Sequence, residues 1–306
     1  MSALILLQQM LVLFAMAMCG FFVARKKWLG ETGRRQLSTL VVHLFNPLLI
    51  ISSVGAYDSA EARGLVGQNI LALLFVYGFL IGAALLYVFI RRYKRGEASL
   101  YTLTLAFNNV GFMGIPVVRG FLGEQYLILV VFYMLGFNII TYTLGIFLAG
   151  RMRKEGARFS LKSLLNTGTV GAVAAIVIFL FNIRFPAPVR TFLSYMGEIT
   201  IPLSMIIIGA LLATQDLRAI FLDLRNYVFL LVKMILIPLL GILVIRRLPF
   251  ERPVLTVACI LISMPTASFV SMLAEQYGGD SRRASSMVAI STIFSVVTVP
   301  LLSFFY

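Results

Sequence analysis

Long apolar runs alternate with short polar segments along the whole chain. A helix needs about 20 consecutive apolar residues to cross the hydrocarbon core of a bilayer. Ten segments reach that length, with ends placed to within a few residues: 3–24, 36–56, 66–90, 98–120, 124–149, 163–183, 189–213, 226–245, 253–274 and 284–305. The pattern therefore predicts an all-α membrane protein of ten transmembrane helices joined by short loops.

Composition agrees with this pattern and excludes several classes of protein. The chain is 60% apolar and 12% charged, whereas a soluble domain is about 45–50% apolar and about 25% charged. A soluble enzyme, a disordered chain and a disulfide scaffold are therefore excluded. Cys19 and Cys259 both lie in apolar runs and are predicted to be small core residues. The first segment lacks a basic start and is interpreted as a retained helix.

The net charge of +14 reflects membrane topology and not binding to nucleic acid, because the basic residues cluster between apolar segments. With the N-terminus outside, inner loops hold eighteen of the 26 Lys and Arg residues and outer loops hold six. Arg151–Lys162 is the longest basic loop. The bias is weaker in the second half. We expect both termini on the outer side of the cytoplasmic membrane, with lipids as partners.

The two halves of the chain resemble each other. An offset of 155 residues aligns Arg35 with Arg190 and Pro47 with Pro202. The triplet EQY at 124–126 recurs at 275–277, which is an offset of 151. Five spans per half is an odd number, so residues 151–306 are predicted to repeat residues 1–150 with inverted topology, as in many secondary transporters. The alternative is a likeness of composition alone.

Two predicted helices contain a break flanked by polar residues. The fourth contains NNVGFMGIP at 108–116, and the ninth contains SMPTAS at 263–268. The 151-residue offset places Gly114 opposite Pro265, so both breaks are expected at equivalent places. Pro238 and Pro300 have apolar surroundings and are interpreted as kinks. The residues predicted to form the site are Asn108, Asn109, Gly111, Gly114, Pro116, Pro265, Thr266 and Ser268.

Two broken helices that cross at the midplane would point half-helix N-termini into one cavity. Their N–H groups and positive dipole ends favour an anion such as a carboxylate. Asn46 opens the second helix with a proline after it and is expected to face the crossing. The alternative is that the glycines and polar side chains only pack helices together.

Three motifs make the chain similar to the auxin efflux carrier family: FNPLL at 45–49, NNVGFMGIP at 108–116 and MPTASFVSMLAEQYG at 264–278. That family includes plant auxin carriers and bacterial permeases linked to malate or malonate uptake. The resemblance covers the whole chain. It implies a fold similar to the bile-acid sodium symporters, in which a transport domain moves beside a scaffold domain by an elevator mechanism.

The resemblance also implies roles for single residues. Asn109 matches an asparagine that contacts the substrate carboxylate, and Pro116 and Pro265 match the crossover prolines. Tyr142 lies in a YTL triplet that matches a pocket tyrosine of the fifth helix. The long regulatory loop of the plant carriers is missing here, and Asn108 stands where those carriers have a proline.

Few ionisable residues fall within the predicted spans, where such residues are candidates for function. His43 and Glu198 each precede a proline by four residues and are paired by the 155-residue offset. One hypothesis is that they titrate during transport and couple it to protons. The interpretation that the sequence favours is that each is a satisfied polar residue near the membrane interface.

Two basic residues and one glycine pair complete the candidates. Arg119 either attracts an anionic substrate into the outer vestibule or extends to the headgroups, and Lys233 is expected to extend to the headgroups. Gly78 and Gly82 form a GxxxG pattern, which predicts helix packing within the chain, although a homodimer is compatible with it.

These observations predict a secondary carrier of a small organic anion such as malate, malonate or an auxin-like acid. A carrier of neutral or cationic solutes is the alternative, followed by an ion channel, a membrane receptor and a membrane enzyme. The sequence lacks HExxH, GxSxG and P-loop motifs, so no catalytic or metal site and no cofactor is predicted. The sequence leaves coupling to H⁺ or Na⁺ undecided.

Overall fold

The structure is a computed structural model that describes residues 2–55, 63–152 and 166–306. Within these ranges the chain is helical and forms no strand, so the all-α prediction is confirmed there. Most of the basic loop lies outside the described residues, including Arg153, Lys154, Arg158 and Lys162. The end of the second predicted span and the start of the sixth also lie outside them.

The described residues form seventeen α-helices. The first half contains α1 (Ser2–Arg25), α2 (Glu31–Leu40), α3 (Asn46–Gly55), α4 (Val66–Arg91), α5 (Arg95–Ala106), α6 (Ile115–Leu122), α7 (Leu127–Ile140) and α8 (Ile146–Gly150). The second half contains α9 (Thr167–Leu180), α10 (Ala187–Glu198), α11 (Thr200–Ala213), α12 (Leu217–Leu222), α13 (Leu224–Leu231), α14 (Ile237–Ile245), α15 (Arg252–Ile262), α16 (Phe269–Gln276) and α17 (Ser281–Leu302).

Several of these helices join into longer units that suit a bilayer. Seven continuous units of the described chain are long and apolar enough to cross a membrane: Ala3–Arg25, Glu31–Ser53, Val66–Arg91, Glu124–Gly150, Ala187–Ala213, Leu224–Ile245 and Ser281–Phe305. Three apolar helices are shorter: Val110–Leu122, Thr167–Leu180 and Arg252–Ile262. Each of the ten predicted segments is helical over most of its described length, but that all ten cross the membrane stays a prediction.

The outer surface of the bundle is apolar, as a lipid-facing surface must be. On α4 alone, Leu74, Leu86 and Phe89 are exposed. Monomeric soluble proteins rarely expose apolar faces of this extent to water. The chain is therefore a multi-pass membrane protein.

Wide π-helical turns precede three of the prolines. The turns Val41–Phe45, Val110–Gly114 and Val232–Leu236 end two residues before Pro47, Pro116 and Pro238, respectively. Proline has no N–H to donate and its ring crowds the preceding turn, and a wider turn accommodates both effects. A fourth π-turn, Thr141–Gly145, joins α7 to α8 without a proline. The sequence predicted kinks at prolines, but not this turn type.

The helices pack as two groups that share a long boundary. In the first group α1 packs along α11, and α3 packs against α9 and α10. In the second group α4 packs against α5, α7, α14 and α15, and α17 packs against α13 and α16. Contacts of α7 with α9, and of α1 with α6 and α17, join the groups. The broken helices belong to the second group.

Glycines allow α1 and α11 to approach each other closely. A Cβ atom on Gly209 would lie 1.7 Å from the carbonyl oxygen of Ala17, and one on Gly20 would lie 2.1 Å from that of Ile206. Small residues commonly serve this purpose between membrane helices. Gly78 and Gly82 do not, since no atom lies within 4 Å of a Cβ built on either residue. The predicted packing role of that pair within the chain is therefore wrong.

The two cysteines differ in environment. Cys259 is buried, as predicted, but Cys19 is exposed on α1. The prediction of a core position for Cys19 is wrong, because the apolar run around it covers the whole circumference of α1 and only one side of that helix faces the bundle.

Candidate functional site

Two broken helices meet at the centre of the candidate site. The helical path is interrupted at 107–109, between α5 and the π-turn Val110–Gly114, and again at 263–268, between α15 and α16. Asn108 and Thr266 pair as an isolated antiparallel bridge. Asn109 N donates to Pro265 O at 2.7 Å, and Ala267 N donates to Phe107 O at 2.9 Å. Each break thus satisfies backbone groups that the other has freed, as the bilayer core requires.

The break in the fourth helix lies before its glycines and not at Gly114 and Pro116. The 151-residue offset therefore does not align the two breaks. It aligns Gly114 with Pro265, whereas in the structure Asn108 is the residue that pairs with Thr266 of the SMPTAS segment. Gly114 and Pro116 are buried behind the crossing, and a Cβ atom on Gly114 would lie 2.6 Å from the Leu261 side chain. Gly114 therefore allows close packing of the π-turn Val110–Gly114 against α15.

Two side chains lock the crossing. Asn108 Nδ2 donates to Leu261 O at 2.7 Å and to Ile262 O at 2.8 Å. Thr266 Oγ1 donates to Thr104 O at 2.8 Å. Both residues are 0% exposed. In this conformation Asn108 and Thr266 hold the two breaks together and present no free surface to a ligand.

Asn109 differs from its neighbour. Its backbone N–H is hydrogen-bonded to Pro265 O. Its side chain makes no hydrogen bond with the described residues, and the residue as a whole is 5% exposed. Gly111 and Ser268, which are partly exposed, lie beside the two breaks. Tyr142, on the π-turn of the fifth helix, places its ring 6.2 Å from the ring of Phe269 at the start of α16. Gly111, Ser268 and Tyr142 are thus the predicted site residues with partly exposed surface, whereas Asn109 is buried with an unbonded side chain.

Both broken helices resume at the crossing. The π-turn begins at Val110 and α16 begins at Phe269, so two helix N-termini start there. Each carries roughly half of a positive elementary charge. The electrostatic environment beside Asn109 therefore favours an anion.

Lys233 was expected to extend to the headgroups, and this prediction is wrong. The residue lies in the π-turn Val232–Leu236 and is 1% exposed. Its ammonium group donates to Leu105 O at 2.8 Å and to Asn108 Oδ1. The Leu224–Ile245 unit is therefore joined to the crossing through the buried Lys233 side chain. A lysine flanked by apolar residues was the only sequence signal for this contact.

Arg119 forms an ion cluster between the two groups of helices. It pairs with Glu124 and lies 3.8 Å from Glu198 at the end of α10. These residues and Arg190 line a small cavity of about 50 Å³. Arg119 is therefore paired with carboxylates in this conformation, and its two predicted roles stay predictions.

The other predicted polar residues are His43, Glu198 and Asn46. His43 Nδ1 is 2.6 Å from Thr167 Oγ1 at the start of α9, and Glu198 accepts a hydrogen bond from Ser194 Oγ at 3.2 Å. Asn46 is buried, with Oδ1 lacking a hydrogen-bond partner among the described residues. No described hydrogen bond connects any of the three to the crossing. Their neighbours fit the interpretation of His43 and Glu198 as satisfied polar residues.

A second polar cluster was missed by the sequence reasoning. Arg283, at the start of α17, donates to Asp223 Oδ2 at 2.8 Å, to Asn226 Oδ1 at 2.7 Å and to Tyr101 Oη at 3.1 Å. Desolvation raises the pKa of Asp223, but hydrogen bonds from Arg225 and the charge of Arg283 outweigh it, so that pKa lies below its usual value. The cluster connects α5, α13 and α17.

Comparison with known proteins agrees with the motifs. Residues 5–303 match the family described as membrane transport protein, which is the auxin efflux carrier family. An uncharacterized transporter of Methanothermobacter thermautotrophicus is 26% identical over 299 residues, covering 97% of each chain. A proposed malonate transporter of Rhizobium meliloti is 25% identical, covering 94% of this chain and 91% of its own. An uncharacterized transporter of Methanocaldococcus jannaschii is 26% identical, covering 95% and 96%.

Proposed function

The chain belongs to the membrane transport protein family, and from this premise we propose that it is a secondary carrier of a small organic anion. A carboxylate such as malonate or malate is the class of substrate that the site favours. The observation that carries the proposal is the crossing of two broken helices beside the free side chain of Asn109. The relative proposed to transport malonate is compatible with this class.

The carboxylate would bind where the helices resume. The Asn109 amide can donate to one carboxylate oxygen, and the positive dipole ends of the π-turn and α16 favour the negative charge of the group. Ser268 supplies a hydroxyl, and Tyr142 closes the side next to Phe269. These groups are positioned by buried residues of the two broken helices: Asn108, Pro116, Pro265 and Thr266. A neutral solute would gain less from the two positive dipole ends.

We further propose that the second group of helices moves against the first as the transport domain of an elevator. The crossing lies within the second group, and the ion cluster at Arg119 bridges the boundary between the groups. The first and second halves of the chain, 1–150 and 151–306, would be inverted repeats that contribute to both groups, with ten spans and both termini outside the cell membrane.

The test is thermal unfolding of the purified protein with a panel of malate, malonate, indole acetate, amino acids, neutral solutes and cations. A ligand that binds the folded state raises the apparent Tm by mass action, by the equivalent of about 2.7 kcal/mol at 100 times its Kd. We expect at least one carboxylate to raise it. Uptake of that carboxylate into proteoliposomes then measures transport.

Two neighbouring variants distinguish a residue that binds the substrate from a residue that stabilises the crossing. Asn109→Ala should abolish the carboxylate response with little change in the Tm of the free protein, since its side chain has no partner to lose. Asn108→Ala should lower the Tm of the free protein instead. A response restricted to amino acids, neutral solutes or cations would contradict the anion proposal, and a carboxylate response retained in Asn109→Ala would place the site elsewhere.

A further inference from the structure

The buried ammonium group of Lys233 occupies an unusual position in the crossing. It is bound by two oxygen atoms, Leu105 O and Asn108 Oδ1. Within the described parts of the chain no carboxylate lies within 4 Å of its nitrogen. A buried ammonium group normally requires compensation, and the oxygen atoms and dipoles around Lys233 can supply it.

The two half-helices that end at the crossing supply this compensation. Leu105 lies in the last turn of α5, and Leu261 and Ile262 close α15. Each helix C-terminus carries roughly half of a negative elementary charge on its unpaired carbonyls. Lys233 contacts the first terminus directly and reaches the second through Asn108, whose Nδ2 donates to Leu261 O and Ile262 O. Two such termini together balance about one positive charge.

The same environment suits a metal cation. Carbonyl and amide oxygens are the ligands that hard cations prefer, and transporters with broken helices use unwound carbonyls and half-helix C-terminal ends to coordinate Na⁺. We propose that Lys233 is the resident cation of the crossing, fixed where a sodium ion would otherwise bind, so that this protein binds no Na⁺ at the crossing. Sodium-independent transport is the consequence that rests on the proposed carrier function.

The test compares thermal unfolding of the purified full-length protein in NaCl, KCl and choline chloride at equal ionic strength. The wild type should show the same Tm in all three salts. Lys233→Ala removes the cation and leaves its oxygen ligands in place, so its Tm should fall. NaCl should raise that Tm by about 3 °C over choline chloride, saturating with concentration, because Na⁺ binds only the folded state. Lys26→Ala, which removes an exposed lysine, should behave as the wild type.

The outcomes separate clearly. A wild-type Tm that rises specifically with Na⁺ would overturn the proposal, and so would a folded Lys233→Ala variant without a sodium response. If Lys233→Ala does not fold, Lys233→Gln, which removes the charge and keeps a hydrogen-bond donor, takes its place, and the same sodium response is expected. These measurements use no substrate, so failure of the carboxylate panel would leave their result unaffected.

Discussion

Asn108 and Lys233 form a buried contact that connects three helical units through one side chain. The Asn108 amide accepts from the Lys233 ammonium through Oδ1 and donates through Nδ2 to two carbonyls at the end of α15. Asparagine can do both because its amide carries an acceptor and two donors. A proline at this position, as in the plant carriers, would supply neither group, so this chain stabilises its crossing by a different arrangement.

The Asn108→Ala variant should be strongly destabilised. It removes an acceptor from a buried ammonium and the donor of two buried carbonyls, at a cost of about 2–4 kcal/mol. We expect the Tm in detergent to fall by about 4–10 °C, and Asn109→Ala, with no partner to lose, to stay near the wild type. Equal Tm values for the two alanine variants would contradict the proposed role of Asn108 in stabilising the crossing.

Packing of α1 against α11 should not tolerate a methyl group at Gly209. The Cβ atom of alanine would overlap the Ala17 carbonyl, so the helices must separate, and overpacking of this kind typically costs about 1–3 kcal/mol. Gly209→Ala should therefore lower the yield of folded protein and its Tm. Gly78→Ala is the matched control, because its methyl group would meet open space. A Gly209→Ala protein as stable as Gly78→Ala would refute this packing.

Transport rates should respond to the ion cluster at the boundary between the two groups. Glu198 is 54% exposed in its side chain, so its pair with Arg119 contributes at most about 1 kcal/mol. If the pair retards movement of one group past the other, Glu198→Gln should raise the uptake rate by about two- to five-fold. Glu124→Gln should lower it, because Arg119 would then pair with Glu198 alone. Changes in the same direction in both variants would argue against this role.

Acid should weaken the cluster around Arg283. The pKa of Asp223 lies below the usual 3.8 in the folded protein, so its carboxylate contributes stability at pH values above about 4. That contribution is lost as the pH falls through the lower folded value. Asp223→Asn should therefore lower the Tm at pH 7 and leave it unchanged at a pH below both values. A variant with the same Tm deficit at both pH values would show that charge is not involved.

Much of the fold could be predicted from the sequence. Apolar run length placed helices at every predicted segment in the described chain, and the family was identified from three motifs. Pro116 and Pro238 were predicted to disrupt their helices, but the π-turns before them were not predicted, because the turn type depends on how neighbouring helices satisfy the freed carbonyls. The break at 107–109 was placed too late, since glycine and proline content marks weak helix without locating the interruption.

Lys233 and Cys19 show what the sequence left open. A lysine in an apolar helix either extends to the membrane surface or is buried with partners, and both behaviours share one local sequence. Burial was decided by two oxygen atoms, on Leu105 and Asn108, that lie far away in the chain. Cys19 sits in an apolar run like that of Cys259, and only packing determined which of the two faced outwards.

The sequence by itself determined that the chain is a helical membrane protein, which family it belongs to and which segments carry the polar breaks. The length of an apolar run and the positions of proline and glycine have local effects, so those effects can be predicted from the sequence alone. The tertiary structure alone decided that Asn108 pairs with Thr266, that Asn109 keeps a free side chain and that Lys233 is buried at the crossing. These are contacts between distant segments, and hydrogen bonds hidden from water and lipid form only where folding brings their donors and acceptors together.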